Sequence, residues 1–589
     1  MKLVPAQFGP QPTPAGISFR LWAPAAKAVD LILDRSHPMK PFPDGWYELT
    51  VEGARAGALY KFRIDRELEV PDPASHFQPH DVGGPSEVID HDAYRWNIPD
   101  WRGRPWQDAA LLELHVGTFT PAGSFLGAME KLDHIVDSGV TAIELMPVAD
   151  FSGARNWGYD GVLLYAPDSS YGRPEDLKAL IDAAHARGLM VFLDVVYNHF
   201  GPQGNYLACY APAFFTSAQT PWGHAVDYRV AQVRAFAIEN ALHWLSRYRF
   251  DGLRLDAVHA IAERGQPSIL RELSRAVGCL ASATGRTIHL VLENDDNAAS
   301  LLDPCEEPPR GAYRAQWNDD YHHAWHALLT REAASYYQDY VDRPLDHIAR
   351  SLRSGFSYQG DASRHRDGRL RGEPSGALSP LAFVNFLQNH DQIGNRALGD
   401  RLSANADSAS LMAALAVTLL APMPPLLFMG EEWGSTRPFP FFCDFTGDLA
   451  EAVRRGRRRE FAEAYARFGD AVADPLAEAT FRSAVLDWSE REEPQARERL
   501  AFVRRLLATR RREIVPRLAG TRFGSANHNG SVLSADWLLG DGSELALIAN
   551  LSDEIATRPA PAGQRRRIWG SPENDRLPPW SVCWTIGTN

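Results

Sequence analysis

Asp256 closes the run Gly252-Leu253-Arg254-Leu255-Asp256, in which two leucines alternate with Arg254 and Asp256 and His259 follows three residues on. That alternation is the pattern of a buried strand delivering charged side chains to one end. An unpaired carboxylate there would be expensive. Glu293 ends a second apolar run, Leu290-Val291-Leu292, and Asp391 follows His390. If they converge, two of these carboxylates about 5 Å apart could cleave a glycosidic bond with retention: one attacks the anomeric carbon, the other protonates the leaving oxygen and later deprotonates water. A third would stabilise the developing positive charge or grip ring hydroxyls. Arg254 would hold Asp256 ionised, while the apolar approach to Glu293 would raise its pKa, as a general acid requires. Two other readings stay open on these residues alone. One is a structural ion pair; the other is a carboxylate cluster for Mg²⁺ or Ca²⁺, for which the adjoining His and Arg are poor company.

Whether residues so far apart in the chain can meet depends on the elements that carry them. Strand-like apolar runs occur at residues 111–119, 141–148, 189–196, 252–256, 288–293, 312–317, 381–388 and 425–429, with amphipathic helices between several of them. One helix opens at Pro174-Glu175-Asp176 and stops at Arg187-Gly188; others span 230–248 and 494–512. Eight strands interleaved with helices fit a (β/α)8 TIM barrel, and no GxGxxG follows the first strand to favour a doubly wound sheet. In such a barrel the carboxyl ends of the strands form the active face. That selects Asp194 to His199, Arg254 to His259, Glu293, His390 and Asp391. Short alternating runs at 17–22, 29–33, 46–51 and 58–64 predict an N-terminal β-sandwich over 1–95, with the barrel and its inserted loops over 96–516. Runs at 532–537, 545–550 and 581–586 predict a C-terminal β-domain over 517–589, and the polar stretch 360–375 reads as a flexible insertion.

A chain of 589 residues with 61 basic and 74 acidic side chains carries a net charge of −13, which excludes a polyanion-binding surface built on clustered cations. The one basic block, residues 454–459, sits among Glu451, Glu460 and Glu463 in a helical pattern and reads as a solvated helix face. Nucleic acid is not expected as a partner, nor is a membrane, since no 18-residue apolar span occurs. Five scattered cysteines without a CxxC pair point to a reducing compartment, and the first residues lack an apolar leader, so the expected location is the cytoplasm. Sixteen Trp and eighteen Tyr tilt the reading toward a sugar ligand, whose apolar faces stack on flat rings.

Four segments, Asp194-Val195-Val196-Tyr197-Asn198-His199, Gly252-Leu253-Arg254-Leu255-Asp256-Ala257-Val258-His259, Leu292-Glu293-Asn294-Asp295 and Gln388-Asn389-His390-Asp391, resemble in order and spacing the signature regions of the α-amylase superfamily, glycoside hydrolase family 13. The resemblance implies that Asp256 is the nucleophile, Glu293 the general acid/base and Asp391 the transition-state stabiliser. His199, Arg254 and His390 would contact the sugar of the −1 subsite, and Tyr159 would stack on it. Residues 388–396, 317–323 and 429–434 look like the trehalohydrolase branch, which implies hydrolysis of maltooligosyltrehalose next to its terminal trehalose, downstream of a synthase that makes this substrate. It carries substrate contact to Asn318, Asp319, Asp320, Tyr321, His322, Gln392 and Asn395, and implies no cofactor and no metal requirement, although Asn198 occupies a position that binds calcium in some amylases. It also covers both flanking β-domains, the first immunoglobulin-like and resembling a carbohydrate-binding module. His259 with Ala260 replaces the Lys-His pair of many α-amylases, which alters the acceptor side, and Trp433 stands where Phe is common. Trp222 could stack in an acceptor subsite or fill loop core. His322, His323 and His326 lack a Cys or Glu to complete a zinc set and read as substrate contacts or helix surface. The same carboxylates would serve a 1,4-α-glucan branching enzyme or a general α-amylase, and a glucan-binding protein without turnover is the non-enzymatic alternative.

Overall fold

The computed structural model describes residues 7–220, 223–261, 268–302, 313–557, 565–570 and 576–587. Trp222 lies outside them. The N-terminal runs form two antiparallel sheets, one built on Gly16–Trp22 and Trp46–Glu52 and the other on Val29–Ile32 and Leu59–Ile64. Alternation along these strands buries Phe19, Leu21, Leu31 and Phe62 between the layers.

The expected barrel is present, with all eight strands at the places the apolar runs indicate. They are β1 (Leu111–Leu114), β2 (Ala142–Leu145), β3 (Met190–Val195), β4 (Gly252–Leu255), β5 (His289–Leu292), β6 (Ala315–Trp317), β7 (Phe383–Val384) and β8 (Leu426–Phe428). All pair in parallel in the order 8-1-2-3-4-5-6-7. The ring closes between β7 and β8, where Leu426 N–H donates to Asn385 O (2.9 Å) and Asn385 N–H donates to Pro424 O (3.0 Å). The surrounding helices include α1 (Pro174–Ala186), α2 (Ala231–Arg247), α3 (Ile269–Thr284), α4 (Asp319–Thr330), the short α5 (His390–Gly394), α6 (Ser408–Leu420) and α7 (Pro494–Thr509). The start of α1 is fixed by Pro174 and by Asp176, whose carboxylate accepts the Arg173 N–H (2.9 Å). Three residues short of the expected end, α7 widens into a turn over Arg510–Ile514. The buried Arg510 guanidinium there donates to the carbonyls of Leu419, Ala421, Pro422 and Met423, satisfying groups that the end of α6 leaves open.

Register explains how the barrel bore is filled. Leu111 pairs with Ala142 and Ala142 with Met190, and these residues pack with Phe192, Val291, Ala315, Trp317 and Val384 into an apolar plug. Moving toward the carboxyl ends, Glu113 pairs with Glu144 and Asp194 with Arg254. A polar layer thus rests on an apolar one, immediately below the mouth. The C-terminal sheet, from Arg522–Asn529 to Val582–Gly587, is antiparallel. Its indoles Trp537 and Trp584 stack on each other and donate to Leu352 O and, on α6, to Ala416 O, which fastens the sheet to the barrel.

Two expectations are corrected. The stretch 360–375 is a structured hairpin, Asp361–Ala362 against Leu370–Arg371. Arg366 and Arg371 tie it to Asp295 and Asp320, so ion pairs order a segment that its polarity marks as loop. The basic block lies on the helix Gly447–Glu460, but it is not wholly solvated: Arg457 turns inward, its guanidinium 4.3 Å from the centroid of the Phe441 ring.

Candidate active site at the barrel mouth

The polar layer and the mouth above it are held together by one guanidinium. Arg254 is fully buried, and its Nη1 donates to Asp194 Oδ2 (2.7 Å) and to Asp256 Oδ1 (2.8 Å). Its Nη2 lies 3.6 Å from Glu293 Oε2. The flat face of the same group sits 4.1 Å from the centroid of the Trp317 ring, a cation–π contact that sterically fixes the fork. Asp256 and Glu293 are partners by register, because Leu255 pairs with Leu292 and the ladder runs one residue further: Asp256 N–H donates to Val195 O and Glu293 N–H to Leu255 O (both 3.0 Å). Both carboxyl side chains are 13% exposed, accessible from the mouth but largely stripped of water.

Beyond Asp256 the backbone turns left-handed at Ala257, φ +40°. A non-glycine residue adopts this at a cost of about 1–3 kcal/mol, and the turn aims the Ala257 N–H at Glu293 Oε2 (2.5 Å). Burial, with Asp256, Asp319 and Asp391 nearby, drives the Glu293 pKa well above the carboxylate range despite Arg254. Asp194, also buried, is pushed up to about 7 against the pull of Arg254.

The opposite wall comes from β1, the loop after β2, and the end of β7. His390 N–H donates to Glu113 Oε2 (3.1 Å), and its Nδ1 pairs with Glu113 Oε1. Burial disfavours the charge on His390, but the Glu113 carboxylate prevails and raises its pKa above the ordinary histidine value. Tyr159 stacks on this imidazole (5.1 Å, 22°) and donates its hydroxyl to Asp194 Oδ2 (2.6 Å). The loop carrying Tyr159 hugs the barrel because residue 158 is glycine: at φ +101°, a Cβ there would lie 2.0 Å from Pro147 O. His199 donates from Nε2 to Tyr159 O (2.9 Å) and pairs through Nδ1 with the Asn198 amide (2.7 Å). Asp391 is the most open of the acids, 46% exposed, with one oxygen 3.8 Å from His390 Nε2. Asn395 donates to it (3.0 Å) and in turn accepts from Arg457 (3.4 Å).

The remaining candidates divide into rim and interior. Asp319 stands at the rim, pushed up to about 7 by burial and by Asp295, with Gln392 donating to it at 3.3 Å. His259 is exposed, and its Nδ1 accepts the Asp295 N–H (3.2 Å). Asn318, Asp320, Tyr321 and His322 are buried and engaged with protein groups. Asn318 donates to Gly355 O and Asn385 Oδ1; Asp320 accepts from Arg371, Tyr340 and the amides of Ser357 and Tyr358. Tyr321 bonds Thr418 on α6, and His322 bonds Leu387 O and Tyr337. His323 and His326 are buried too, so the helix-surface reading of the three histidines gives way to one of packed interior rings. Trp433 is also core, packed against His134 and Trp488. Sequence reasoning passed over Glu113, Arg366, Arg371 and Arg457. The signal for Glu113 was present: a carboxylate inside Leu111-Leu112-Glu113-Leu114 demands a buried cationic partner.

A closed parallel barrel whose mouth joins three strand-end carboxylates through one arginine defines a glycoside hydrolase of the α-amylase class. The alpha-amylase catalytic domain model matches residues 90–212, the model of carbohydrate-binding module 48 (isoamylase N-terminal domain) matches 7–76, and that of DUF3459, a domain of unknown function, matches 521–584. The malto-oligosyltrehalose trehalohydrolase of Deinococcus radiodurans is 41% identical over 92% of this chain and 89% of its own, and that of Saccharolobus solfataricus 40% over 82% and 83%. The chain belongs to the malto-oligosyltrehalose trehalohydrolase family. A Salmonella typhimurium protein solved as a candidate alpha amylase superposes with a TM-score of 0.94 at 43% identity, over 99% of this chain and all of its own. A 1,4-alpha-glucan branching enzyme of Rhodococcus jostii stands further off, 28% identical over 72% of this chain and 60% of its own.

Proposed function

We propose that the protein hydrolyses the α-1,4-glucosidic bond adjacent to the terminal trehalose of maltooligosyltrehalose, with retention, releasing trehalose and a shorter maltooligosaccharide. The observation that carries the chemistry is the in-register placement of Asp256 and Glu293 on neighbouring strand ends under a shared Arg254. Adjacent strands lie about 4.8 Å apart, which fits the short carboxyl separation of retaining enzymes better than the wider gap of inverting ones. Asp256, ion-paired with Arg254, is the nucleophile. Glu293, its pKa raised by burial, is the acid that protonates the leaving trehalose and then the base that activates water. Asp391 grips ring hydroxyls, Tyr159 is the −1 platform, and His199, Arg254 and His390 contact the bound sugar. His259, Asp319, Gln392 and Asn395 line the rim toward the acceptor side. The names of the relatives support the trehalose end.

Residues 1–95 then form the sandwich, 96–516 the catalytic barrel and 517–589 the C-terminal domain. We place the enzyme in the cytoplasm, acting after a synthase that caps maltooligosaccharides with trehalose. Among the described residues no helix is long and apolar enough to cross a membrane. The reaction draws on side chains alone and needs no metal.

Incubation with maltotriosyltrehalose and with maltopentaose in the presence of chelator tests this reading. Trehalose and maltotriose should appear from the first while the second stays nearly intact. Comparable rates on both would make the protein a general α-amylase, and α-1,6 branches formed from amylose would make it a branching enzyme. The pH profile tests the acid. Glu293 must be protonated to act, so kcat/KM should fall as pH rises through its elevated pKa. Glu293→Gln should lose that alkaline limb together with about 10³–10⁴-fold of kcat.

A further inference from the structure

Three histidines unused by this chemistry meet where the exit of the N-terminal sandwich crosses α2. His76 and His91 come from the connecting segment and His243 from α2. They are 7%, 8% and 8% exposed. One ring nitrogen of each lies within 4.8 Å of the others, and the ring centroids are 4.9, 4.7 and 5.1 Å apart. A neutral imidazole has one donor and one acceptor, and buried ones ordinarily satisfy both. Here His76 Nδ1, both nitrogens of His91 and His243 Nε2 have no hydrogen-bond partner among the described residues. The other nitrogens of His76 and His243 face the protein. His76 Nε2 lies against Gly9, where a Cβ would approach to 2.9 Å, and His243 bonds the backbone of Tyr165.

Three imidazoles on a tetrahedral ion, at Zn–N distances of about 2.0–2.1 Å, hold their ring centres about 5 Å apart. The triangle matches that spacing. We propose that His76, His91 and His243 form a structural site for a divalent transition metal, zinc foremost, with water in the fourth position. Imidazole donors without thiolate or carboxylate suit zinc and its late first-row neighbours and not calcium or magnesium. Two cations lie close by. Lys178 donates to His91 O (3.0 Å), and burial brings it down to about 8; Arg247 is engaged by Asp92 (3.1 Å). Burial also holds the three imidazoles below the usual histidine range, so they offer lone pairs and not protons at neutral pH. The bound ion would staple the sandwich exit to the barrel, away from the catalytic mouth.

The test adds Zn²⁺, and separately Co²⁺ as a spectroscopic probe, to chelator-stripped full-length protein. One equivalent should bind, with a tetrahedral Co²⁺ visible band and a rise in Tm that follows metal concentration. His91→Gln and His243→Gln should each weaken binding by at least about 100-fold and erase the band, while trehalose release by the stripped variants stays at the parent level. Two results overturn the proposal: no retained metal with an unchanged Tm, or stoichiometric binding that persists in the double variant. A double variant that fails to fold leaves the Co²⁺ spectrum of the parent as the deciding measurement, since absence of nitrogen-ligated tetrahedral features refutes the site directly.

Discussion

Replacing Asp256 with Ala is expected to lower kcat for trehalose release by about 10⁵-fold, the scale of losing a covalent nucleophile. The protein should still fold. The side chain is small and partly open to the mouth, and Arg254 keeps its bond to Asp194. A Tm within a few degrees of the parent would separate lost chemistry from lost structure. Stereochemistry makes the prediction sharper. The gap left by the carboxylate admits a small anion on the face that Asp256 attacks from. Azide should therefore restore part of the rate with Asp256→Ala, and the product should be the β-glycosyl azide. With Glu293→Ala and an activated α-maltosyl fluoride the nucleophile survives, so azide should intercept the glycosyl-enzyme and give the α product. Opposite anomers from the two variants would fix the two roles in one experiment; the same anomer from both would exchange or remove them.

The barrel was legible in the sequence because its strands are buried on both faces, which writes each as a short apolar run separated by helical periodicity. The site was legible for the same reason in reverse. A charge at the end of an apolar run has few inexpensive explanations, so Arg254, Asp256 and Glu293 declare themselves locally. What stayed hidden depends on partners distant in the chain. Glu113 acquires its meaning only through His390, 277 residues away. The 360–375 hairpin is mostly polar and owes its order to ion pairs with Asp295 and Asp320, neither of which is adjacent in sequence. Residues 318–322 show the converse limit. A motif carries the whole stretch into a substrate-binding role, yet the helical turn of α4 sends Asp320, Tyr321 and His322 into protein contacts and leaves Asp319 at the rim. Resemblance transfers segments, whereas geometry selects side chains.

Arg254→Met should be costly twice over. Its guanidinium sits in a bore where the apolar plug excludes water, and it serves carboxylates on three strands. The thioether keeps the volume and much of the contact with Trp317 but none of the charge. Catalysis should fall by about 10³-fold in kcat/KM, because Asp256 loses the partner that orients it. Stability should fall by about 3–5 kcal/mol near neutral pH, the usual penalty for stranding a buried charge. The sign with pH follows from Asp194. Already raised from 3.8 to about 7 with Arg254 present, it must rise further without it. A carboxyl whose folded-state pKa exceeds its unfolded value binds the extra proton in the folded state between the two, so stability drops as pH climbs through that window. Parent and variant share the unfolded value, so the Asp194 part of the deficit opens only above the parent's folded value of about 7; the deficit should be smaller near pH 5 than at pH 8, where the one unit above 7 adds at most about 1.4 kcal/mol. Urea denaturation at the two pH values measures it. A deficit that is equal at both would mean that Asp194 finds another counterion when Arg254 is gone, with Tyr159, which already donates to the same oxygen, the group to examine next.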